Sequence, residues 1–337
     1  MLKQFLRAQQ SIFDREQSQG EHQSHHGPLS VVMVFPNRYA LAMSNLGYRV
    51  VCDLFADLPE VTLERAFFDP DSFGSEMRSV ESGTLLSGFD VVAFSISYEM
   101  EYPRVLRALR DGGVPLKRLE RSEHDPIVLA GGVCAFMNPA PMSDFMDVFA
   151  VGEGEEIVRH FVDALVPALG SSRDSRLDVL ADVPGLYLPQ IHCVGASATP
   201  VTRLWRKQIG STPAHSESDD GPFGGAHLTE VGRGCGRACR FCAAGFAYLP
   251  VRRRTVEQVV ESVADSKSRG KIGMVGAAVS DHPRFAEMCM ELVNKGHTLG
   301  TSSFRADQVD HHMASVLANG GMRTLTIAPE GGSQRMR

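Results

Sequence analysis

The chain is organised around one stretch, TEVGRGCGRACRFC, which runs from Thr229 to Cys242. It follows a short strand-like run, His227 to Val231, and holds three cysteines in a CxxxCxxC array: Cys235, Cys239 and Cys242. Three thiolates leave one corner of a four-iron cluster without a protein ligand, and a metal with an open position indicates catalysis rather than scaffolding. The glycines at 232, 234 and 236 suit a loop that wraps closely around such a cluster.

Three closely spaced cysteines are also found in zinc sites. A zinc ribbon needs a second CxxC pair or a pair of histidines at a matching distance. Downstream, Cys289 stands alone and His311-His312 has no partner at such a spacing. The pattern therefore favours an iron–sulfur cluster over zinc.

The cysteine array resembles that of the radical S-adenosylmethionine (radical SAM) enzymes. The resemblance implies a [4Fe-4S] cluster on Cys235, Cys239 and Cys242, with the amino and carboxylate groups of S-adenosylmethionine on the open iron and Phe241 near the adenine. It also implies reductive cleavage of S-adenosylmethionine to a 5'-deoxyadenosyl radical, with electrons from a reducing donor of the flavodoxin or ferredoxin type. In such enzymes the cofactor supplies the difficult chemistry, and the protein binds and orients it.

Composition sets limits on the class of protein. The chain has 337 residues, 43% of them hydrophobic and 22% charged, which is ordinary for a globular protein with room for two domains. No apolar run approaches the roughly 20 residues that cross a bilayer, and the N-terminus lacks a signal peptide, so a cytoplasmic location is expected. Seven cysteines, three of them clustered, fit metal binding in a reducing compartment. The net charge of -6 argues against a surface that binds polyanions everywhere.

The first half predicts an α/β domain. Residues 1–29, despite His22, His25 and His26, are expected to be a solvated leader. Over residues 30–170, short apolar runs alternate with helical periodicity, which indicates an open, doubly wound, Rossmann-like sheet. The predicted strands are 31–35, 61–68, 90–97, 126–130 and 147–151, and the predicted helices are 44–56, 101–111 and the segment that ends near 169.

Glycine-bearing turns follow the later strands of this domain, at Gly131-Gly132 and at Gly152 to Glu155. Such sheets bind ligands beyond the carboxyl ends of their strands, although isolated glycines often mark tight turns only. With Phe35 to Tyr39 and Met43 to Gly47, these turns resemble the cobalamin-binding-type N-terminal domain of many radical SAM enzymes. No DxHxxG segment occurs, so a histidine as the lower axial ligand is not indicated. At this point a cobalamin-binding domain and one without cofactor both remain open.

Residues 171–225 are predicted to be a connector followed by a polar linker. Within the connector, Val183 to Tyr187 resembles the segment that precedes the radical domain in this family. Residues 226–337 predict the radical SAM core. Its predicted elements are a helix over 255–269 with Thr255 as N-cap, a strand over 271–279, a helix around 285–292, and strands over 298–304 and 323–328. Polar residues follow each strand, and chemistry in a parallel α/β barrel gathers at these ends. One convergent site that includes the cysteine loop is therefore expected.

The resemblance assigns roles at three strand ends. Ser303 and Arg305 would approach the methionine carboxylate or the substrate, and Glu330 would contact the cofactor. An arginine suits a carboxylate because it offers a planar double donor. The second strand ends at Ser280 and Asp281, where the family has a Gly-Gly-Glu type segment for the methionine amino group. Ser280 or Asp281 takes that contact, or Asp281 caps the next helix.

The predicted core is a partial (β/α) barrel that stops after about four of the family's six βα units. The last residues, Gln334 to Arg337, come where a crossover helix should begin. A parallel strand with an uncovered face and an open edge is unfavourable, so an incomplete chain of doubtful activity is expected.

The leading functional expectation is a radical SAM enzyme of the uncharacterised group that carries a cobalamin-type N-terminal domain. With cobalamin, methylation of an unactivated carbon is expected. The alternatives are a non-catalytic iron–sulfur or cobalamin-binding fragment and a radical tRNA-modifying enzyme of the methylthiotransferase type. The RNA alternative rests on a run of arginines that could meet phosphates or offset the cluster's charge: Arg233, Arg237, Arg240 and Arg252 to Arg254. Neither the substrate nor a catalytic side chain is legible from these residues.

Overall fold

The computed structural model describes residues 26–68, 75–192, 200–210, 225–264, 270–327, 329 and 331–335. The chain divides into two compact units, residues 1–206 and 207–337. Of the leader, His22 and His25 lie outside the described residues, as does Glu330 at the other end. Within the described ranges, none of the helices has the length and apolar character that a bilayer crossing would need.

The first unit is built on a six-stranded sheet. Its strands are β1 (Leu29–Phe35), β2 (Val61–Phe67), β3 (Val91–Ser95), β4 (Ile127–Gly131), β5 (Val148–Ala150) and β6 (Leu186–Tyr187). Their order is β2-β1-β3-β4-β5-β6, with the first five parallel and β6 antiparallel to β5. All five strands predicted for this domain are confirmed to within two residues.

Helices cover both faces of this sheet. They are α1 (Tyr39–Met43), α2 (Leu46–Ala56), α3 (Tyr102–Asp111), α4 (Val133–Met137), α5 (Gly154–Leu165), α6 (Arg173–Ala181) and α7 (Pro189–His192). In β1, Val31 and Met33 pack into the core on the side of α2 and α5, whereas Val32 and Val34 pack into the core on the side of α3. A strand buried on both faces reads as a continuous apolar run, which is why β1 could be predicted. The doubly wound class is confirmed.

Three elements of this unit, α6, β6 and α7, lie in the segment predicted to be a connector. Helix α6 contributes Leu177 and Leu180 to the core, and β6 contributes Leu186. Four of the nine residues of α6 are charged, and this composition masked its apolar edge in the sequence. A buried carboxylate ties α6 to the sheet, because Asp147 accepts hydrogen bonds from Arg121 (2.8 Å) and Arg173 (2.7 Å).

The second unit is an open sheet with helices on one face. Its strands are β7 (His227–Arg233), β8 (Arg252–Arg253), β9 (Lys271–Gly276) and β10 (Thr298–Thr301), and its helices are α8 (Ala244–Ala247), α9 (Val256–Ser262), α10 (Phe285–Asn294) and α11 (His311–Asn319). The order is β10-β9-β7-β8, in which β8 is antiparallel and the others are parallel. Thr255 caps α9 as predicted, and its side chain accepts the N–H of Gln258 at 3.2 Å.

The two faces of this sheet differ. Ile272, Met274 and Leu299 pack into the core with α9, α10 and α11. The alternation of side chains along strands then places Gly273 and Gly300 on the other face, where Leu228 lies so close that a Cβ added at Gly273 would be 2.5 Å from it. In the described residues the strands form an open, mainly parallel sheet and not a closed barrel.

One predicted strand and three predicted boundaries in this unit are wrong. No strand forms over the described residues of 323–328, where Ile327 makes one bridge to Phe304. Strand β10 ends at Thr301 and not at the predicted residue 304, so residues beyond Thr301 do not form a ladder with a further strand. Strand β9 ends at Gly276 because residues Val279–Asp281 form a 3-10 turn. Helix α9 ends at Ser262, and residues 265–269 of its predicted range lie outside the described residues.

Candidate cluster and cofactor site

The cysteine loop is held between two antiparallel strands. Strand β7 leads into it, and β8 returns beside β7 with Gly232 opposite Arg253 and Arg233 opposite Arg252. Between the strands lie the three cysteines and the short helix α8. The loop is therefore a long excursion whose two ends are fixed by the sheet.

Within the loop, Cys235, Cys239 and Cys242 are free thiols, of which Cys239 is exposed and the other two are partly exposed. The N–H of Cys242 donates to the carbonyl of Cys239 at 3.0 Å, which forms a tight turn between the second and third thiols. Ala238 has a left-handed φ of 49°, a conformation that an L-residue with a Cβ rarely adopts. The segment between the first two cysteines thus has an unusual backbone that its neighbours must hold.

The donor set fits an iron–sulfur cluster. Thiolates are the soft ligands that these clusters take, and here three of them lie on one accessible loop. Among the described residues, no three His, Cys, Asp or Glu side chains are placed to ligate one metal ion together. In a cluster each thiolate binds a different iron, so the three sulfurs do not have to converge on one point.

A cleft with a volume of about 330 Å³ opens beside this loop. Residues of the loop, of β8 and of the carboxyl end of β9 line it, among them Gly234, Cys235, Gly236, Arg253, Asp281 and His282. The structure therefore brings the cysteine loop and the end of the second parallel strand to one place, as expected for strand ends in this class of fold.

Of the two residues predicted at the end of this strand, only Asp281 lines the cleft. Ser280 is buried and is not among the residues that line the cleft, and its contact with a cofactor stays a prediction. The alternative role of Asp281 as a helix cap is wrong, because the N-cap of α10 is Arg284 and the 3-10 turn separates Asp281 from the helix. Instead, the Asp281 carboxylate accepts two hydrogen bonds from Arg237 of the cysteine loop, at 2.8 and 3.0 Å.

Arg305 reaches the same place from the end of β10. Its guanidinium donates to Asp307 through Nε (2.9 Å) and Nη2 (2.5 Å), and its Nε lies 3.9 Å from an Asp281 oxygen. The pairing with Arg305 lowers the pKa of the Asp307 carboxyl below its ordinary value. Ser303 is exposed at the same strand end, and Phe241 presents a ring with 68% of its surface exposed on the loop. Glu330, the remaining predicted contact, falls outside the described residues.

Sequence reasoning missed the role of His282, which lines the cleft. Its Nδ1 accepts the N–H of Arg284 (3.2 Å), so Nε2 carries the proton and donates to the carbonyl of Arg254 (2.9 Å). Burial lowers the pKa of this imidazole, which favours the neutral ring. His282 therefore joins the β9 end to the segment after β8, and a histidine followed by proline gave no signal for this in the sequence.

The arginines considered for RNA binding are mostly engaged within the protein. Arg233 pairs with Glu230 through two hydrogen bonds (2.7 and 3.0 Å), and Arg237 pairs with Asp281. Arg252 and Arg254 are buried, and the latter donates to the carbonyls of Glu230 and Gln258. Of the six, Arg240 and Arg253 are exposed without such an ion pair or burial in the part of the chain described. This is a small basic surface for a polyanion.

The first unit has a second pocket, with a volume of about 530 Å³. It lies at the carboxyl ends of β1, β3, β4 and β5 and is lined mainly by apolar side chains and by Gly131, Gly132, Gly152 and Gly154. Gly152 has a φ of 141°, and a Cβ there would lie 2.1 Å from the Leu204 carbonyl oxygen, so this turn requires glycine. None of the described residues that line the pocket is a histidine.

Comparisons with known proteins agree with this architecture. A family model for the N-terminal part of radical SAM proteins matches residues 47–189, and a model of the radical SAM superfamily matches residues 229–337. The chain belongs to the radical SAM superfamily. A [4Fe-4S] cluster and S-adenosylmethionine are the cofactors of this superfamily.

Two individual proteins are similar to it. An uncharacterised protein of Methanocaldococcus jannaschii, MJ0966, is 28% identical over 318 residues, which cover 91% of this chain and 62% of the relative. A structure of the cobalamin-dependent S-adenosylmethionine radical enzyme OxsB with aqua-cobalamin and S-adenosylmethionine bound has a TM-score of 0.56 at 14% identity, over 91% of this chain and 45% of that chain. The second likeness shows the fold alone. The chain spans less than two thirds of either protein.

Proposed function

We propose that this chain holds the radical-generating centre of an enzyme that cleaves S-adenosylmethionine reductively, with Cys235, Cys239 and Cys242 as the cluster ligands. The observation that carries the proposal is the set of three free thiols on a loop that opens on the same cleft as the end of β9. When bound, the cluster and S-adenosylmethionine supply the one-electron chemistry that yields the 5'-deoxyadenosyl radical for hydrogen abstraction from substrate. A flavodoxin- or ferredoxin-type protein is the proposed electron donor.

The chain's own residues bind and orient the cofactor. Arg305 is our candidate for the methionine carboxylate, since Asp307 engages Nε and Nη2 and a ligand would meet the Nη1 side of the guanidinium fork. The exposed Phe241 ring offers an apolar surface for the adenine. Contacts from Ser303 and Glu330 to cofactor or substrate stay predictions.

We further propose cobalamin as the ligand of the pocket in the first unit. The glycine-bearing turns and apolar walls lie at the carboxyl ends of the strands, where sheets of this class bind their ligands. The fold likeness to an enzyme whose cobalamin is named supports this choice. Methylation of an unactivated carbon is the reaction that this pair of cofactors favours.

The test is product analysis on protein reconstituted with iron and sulfide without oxygen. With dithionite and S-adenosylmethionine, we expect the wild-type chain to release 5'-deoxyadenosine and a Cys239→Ala variant to release none. Cys289→Ala is the matched control, because Cys289 is buried in α10, away from the loop. Iron bound without any 5'-deoxyadenosine would favour a non-catalytic iron–sulfur module. Equal product from the wild-type chain and Cys239→Ala would overturn the ligand assignment.

A further inference from the structure

The cysteine loop is tied to the end of β9 by one side-chain pair. Arg237 stands between Cys235 and Cys239, and Asp281 lies 44 positions further along the chain. The guanidinium Nε donates to Oδ2 at 2.8 Å and Nη2 donates to Oδ1 at 3.0 Å. These two parallel hydrogen bonds fix both the distance and the orientation of the guanidinium, which a single hydrogen bond would not do.

The two partners differ in how firmly they are held. The Asp281 side chain is 8% exposed, whereas that of Arg237 is 43% exposed. Asp281 ends a 3-10 turn, its N–H donates to the carbonyl of Ala278 at 3.0 Å, and the buried residues Ser280 and His282 flank it. The carboxylate is therefore the fixed partner, and the long arginine side chain of the loop takes its position from it.

A second cation stabilises this arrangement. Arg305 lies 3.9 Å from Asp281 and is itself paired with Asp307, so four charges alternate in the order Arg237, Asp281, Arg305 and Asp307. The carboxylate is thus held between two guanidinium groups. In this setting Asp281 is a fixed acceptor for the loop, and the charge next to the cysteines is balanced within the protein.

We infer that Asp281 is a positioning residue that presets the segment between Cys235 and Cys239 through Arg237, before any cluster binds. Ala238, next to Arg237, has a left-handed backbone conformation that is disfavoured for alanine in a free loop. This segment therefore needs a contact that holds its conformation, and the Arg237–Asp281 pair supplies one. The inference rests on the proposed role of these cysteines as cluster ligands.

The experiment compares hydrogen exchange of the loop amides, residues 236–242, in the cluster-free chain. Asp281→Asn keeps the shape and removes the charge, and we expect exchange to be about tenfold faster than in the wild type. Asp163→Asn is the matched control, because Asp163 also pairs with an arginine, Arg159, but on α5 of the first unit. Unchanged exchange in Asp281→Asn, or equal acceleration in the control, would overturn the inference.

A double-mutant cycle separates positioning through Arg237 from a merely structural role in the turn. If Asp281 acts through Arg237, then Arg237→Ala and the double variant Arg237→Ala/Asp281→Asn should exchange at the same rate and retain the same reduced amount of iron. Additive effects would contradict it. Because exchange is measured without a cluster, a wild-type chain that binds no iron would refute the cluster assignment and leave the positioning result standing on its own.

Discussion

Gly234 lies directly against the main-chain carbonyl of Tyr248, on the two sides of the cysteine loop. Its φ is 80°, and a Cβ placed on it would be 2.5 Å from the Tyr248 oxygen. No side chain fits there without moving the backbone that leads into Cys235. The glycine before the first cysteine therefore allows the two ends of the cysteine loop to pack against each other. The same glycine also leaves space for the backbone to lie close to a cluster.

We predict that Gly234→Ala lowers the iron bound after reconstitution by about tenfold, because a displaced loop entrance misplaces Cys235. Gly236→Ala is the control within the same loop, since an added Cβ there has its nearest neighbour, a Val251 methyl group, at 3.6 Å. Iron and sulfide analysis of both variants checks the prediction. Equal retention of iron in the two would show that the contact with Tyr248 does not matter.

The buried carboxylate of Asp147 supports a second prediction, on stability. Arg121 and Arg173 donate to the same oxygen of Asp147, at 2.8 and 2.7 Å. Asp147→Asn would leave two buried guanidinium groups without a counter-charge and should lower the free energy of unfolding by about 3–5 kcal/mol. Urea denaturation measures this, with the exposed Asp163→Asn expected to change it by less than about 1 kcal/mol. A loss as small as that of the control would argue against the importance of the pair.

Acidification should weaken the second unit through His282. Burial lowers the folded-state pKa of its ring below the ordinary value, so the unfolded chain takes up the proton first. The stabilisation is present above the ordinary pKa of about 6.5 and is lost as the pH falls through the lower folded-state value. We predict that the free energy of unfolding declines more steeply over this window in the wild type than in His282→Gln, which retains an N–H donor and does not titrate. Parallel pH profiles of the two proteins would contradict this.

The pocket of the first unit gives a test for cobalamin. Chain produced with cobalamin should contain about one cobalt per molecule. Gly131→Leu should lower this about tenfold, because Gly131 lines the pocket and an added Cβ there has its nearest neighbours at 3.9 Å, so the larger side chain would take up pocket space. Gly170→Leu serves as control, since a Cβ there meets nothing within 4 Å. Cobalt binding that Gly131→Leu leaves intact would place the cofactor elsewhere.

Much of the fold was predictable because its signals are local. The apolar run of β1 and the capping residue Thr255 each determine structure within a few residues of their own position. The spacing of the three cysteines can likewise be read directly from the sequence. The antiparallel strand β8 was not predicted because its sequence is a run of arginines, which is not typical of a strand. Strand alternation sends Arg252 inward and Arg253 outward, and the chain beyond the strand buries Arg254. Two of the three arginines in this run are therefore buried and cannot meet a polyanion.

The partners of the site could not be predicted in the same way. Asp281 could be placed at the end of a strand, but its pairing with Arg237 depends on how two loops 44 positions apart meet. A local pattern does not contain that information, and the local alternative, a helix cap, was wrong. For the same reason Ser280, adjacent in sequence, could not be recognised as buried.

The most direct test of the central claim is the electron paramagnetic resonance spectrum of the reduced, reconstituted chain, recorded with and without S-adenosylmethionine. Three cysteine ligands and one open iron predict a [4Fe-4S] signal that changes when S-adenosylmethionine is added and that is absent from Cys239→Ala. A signal that S-adenosylmethionine leaves unchanged, or a silent sample with one zinc in place of the iron, would contradict it.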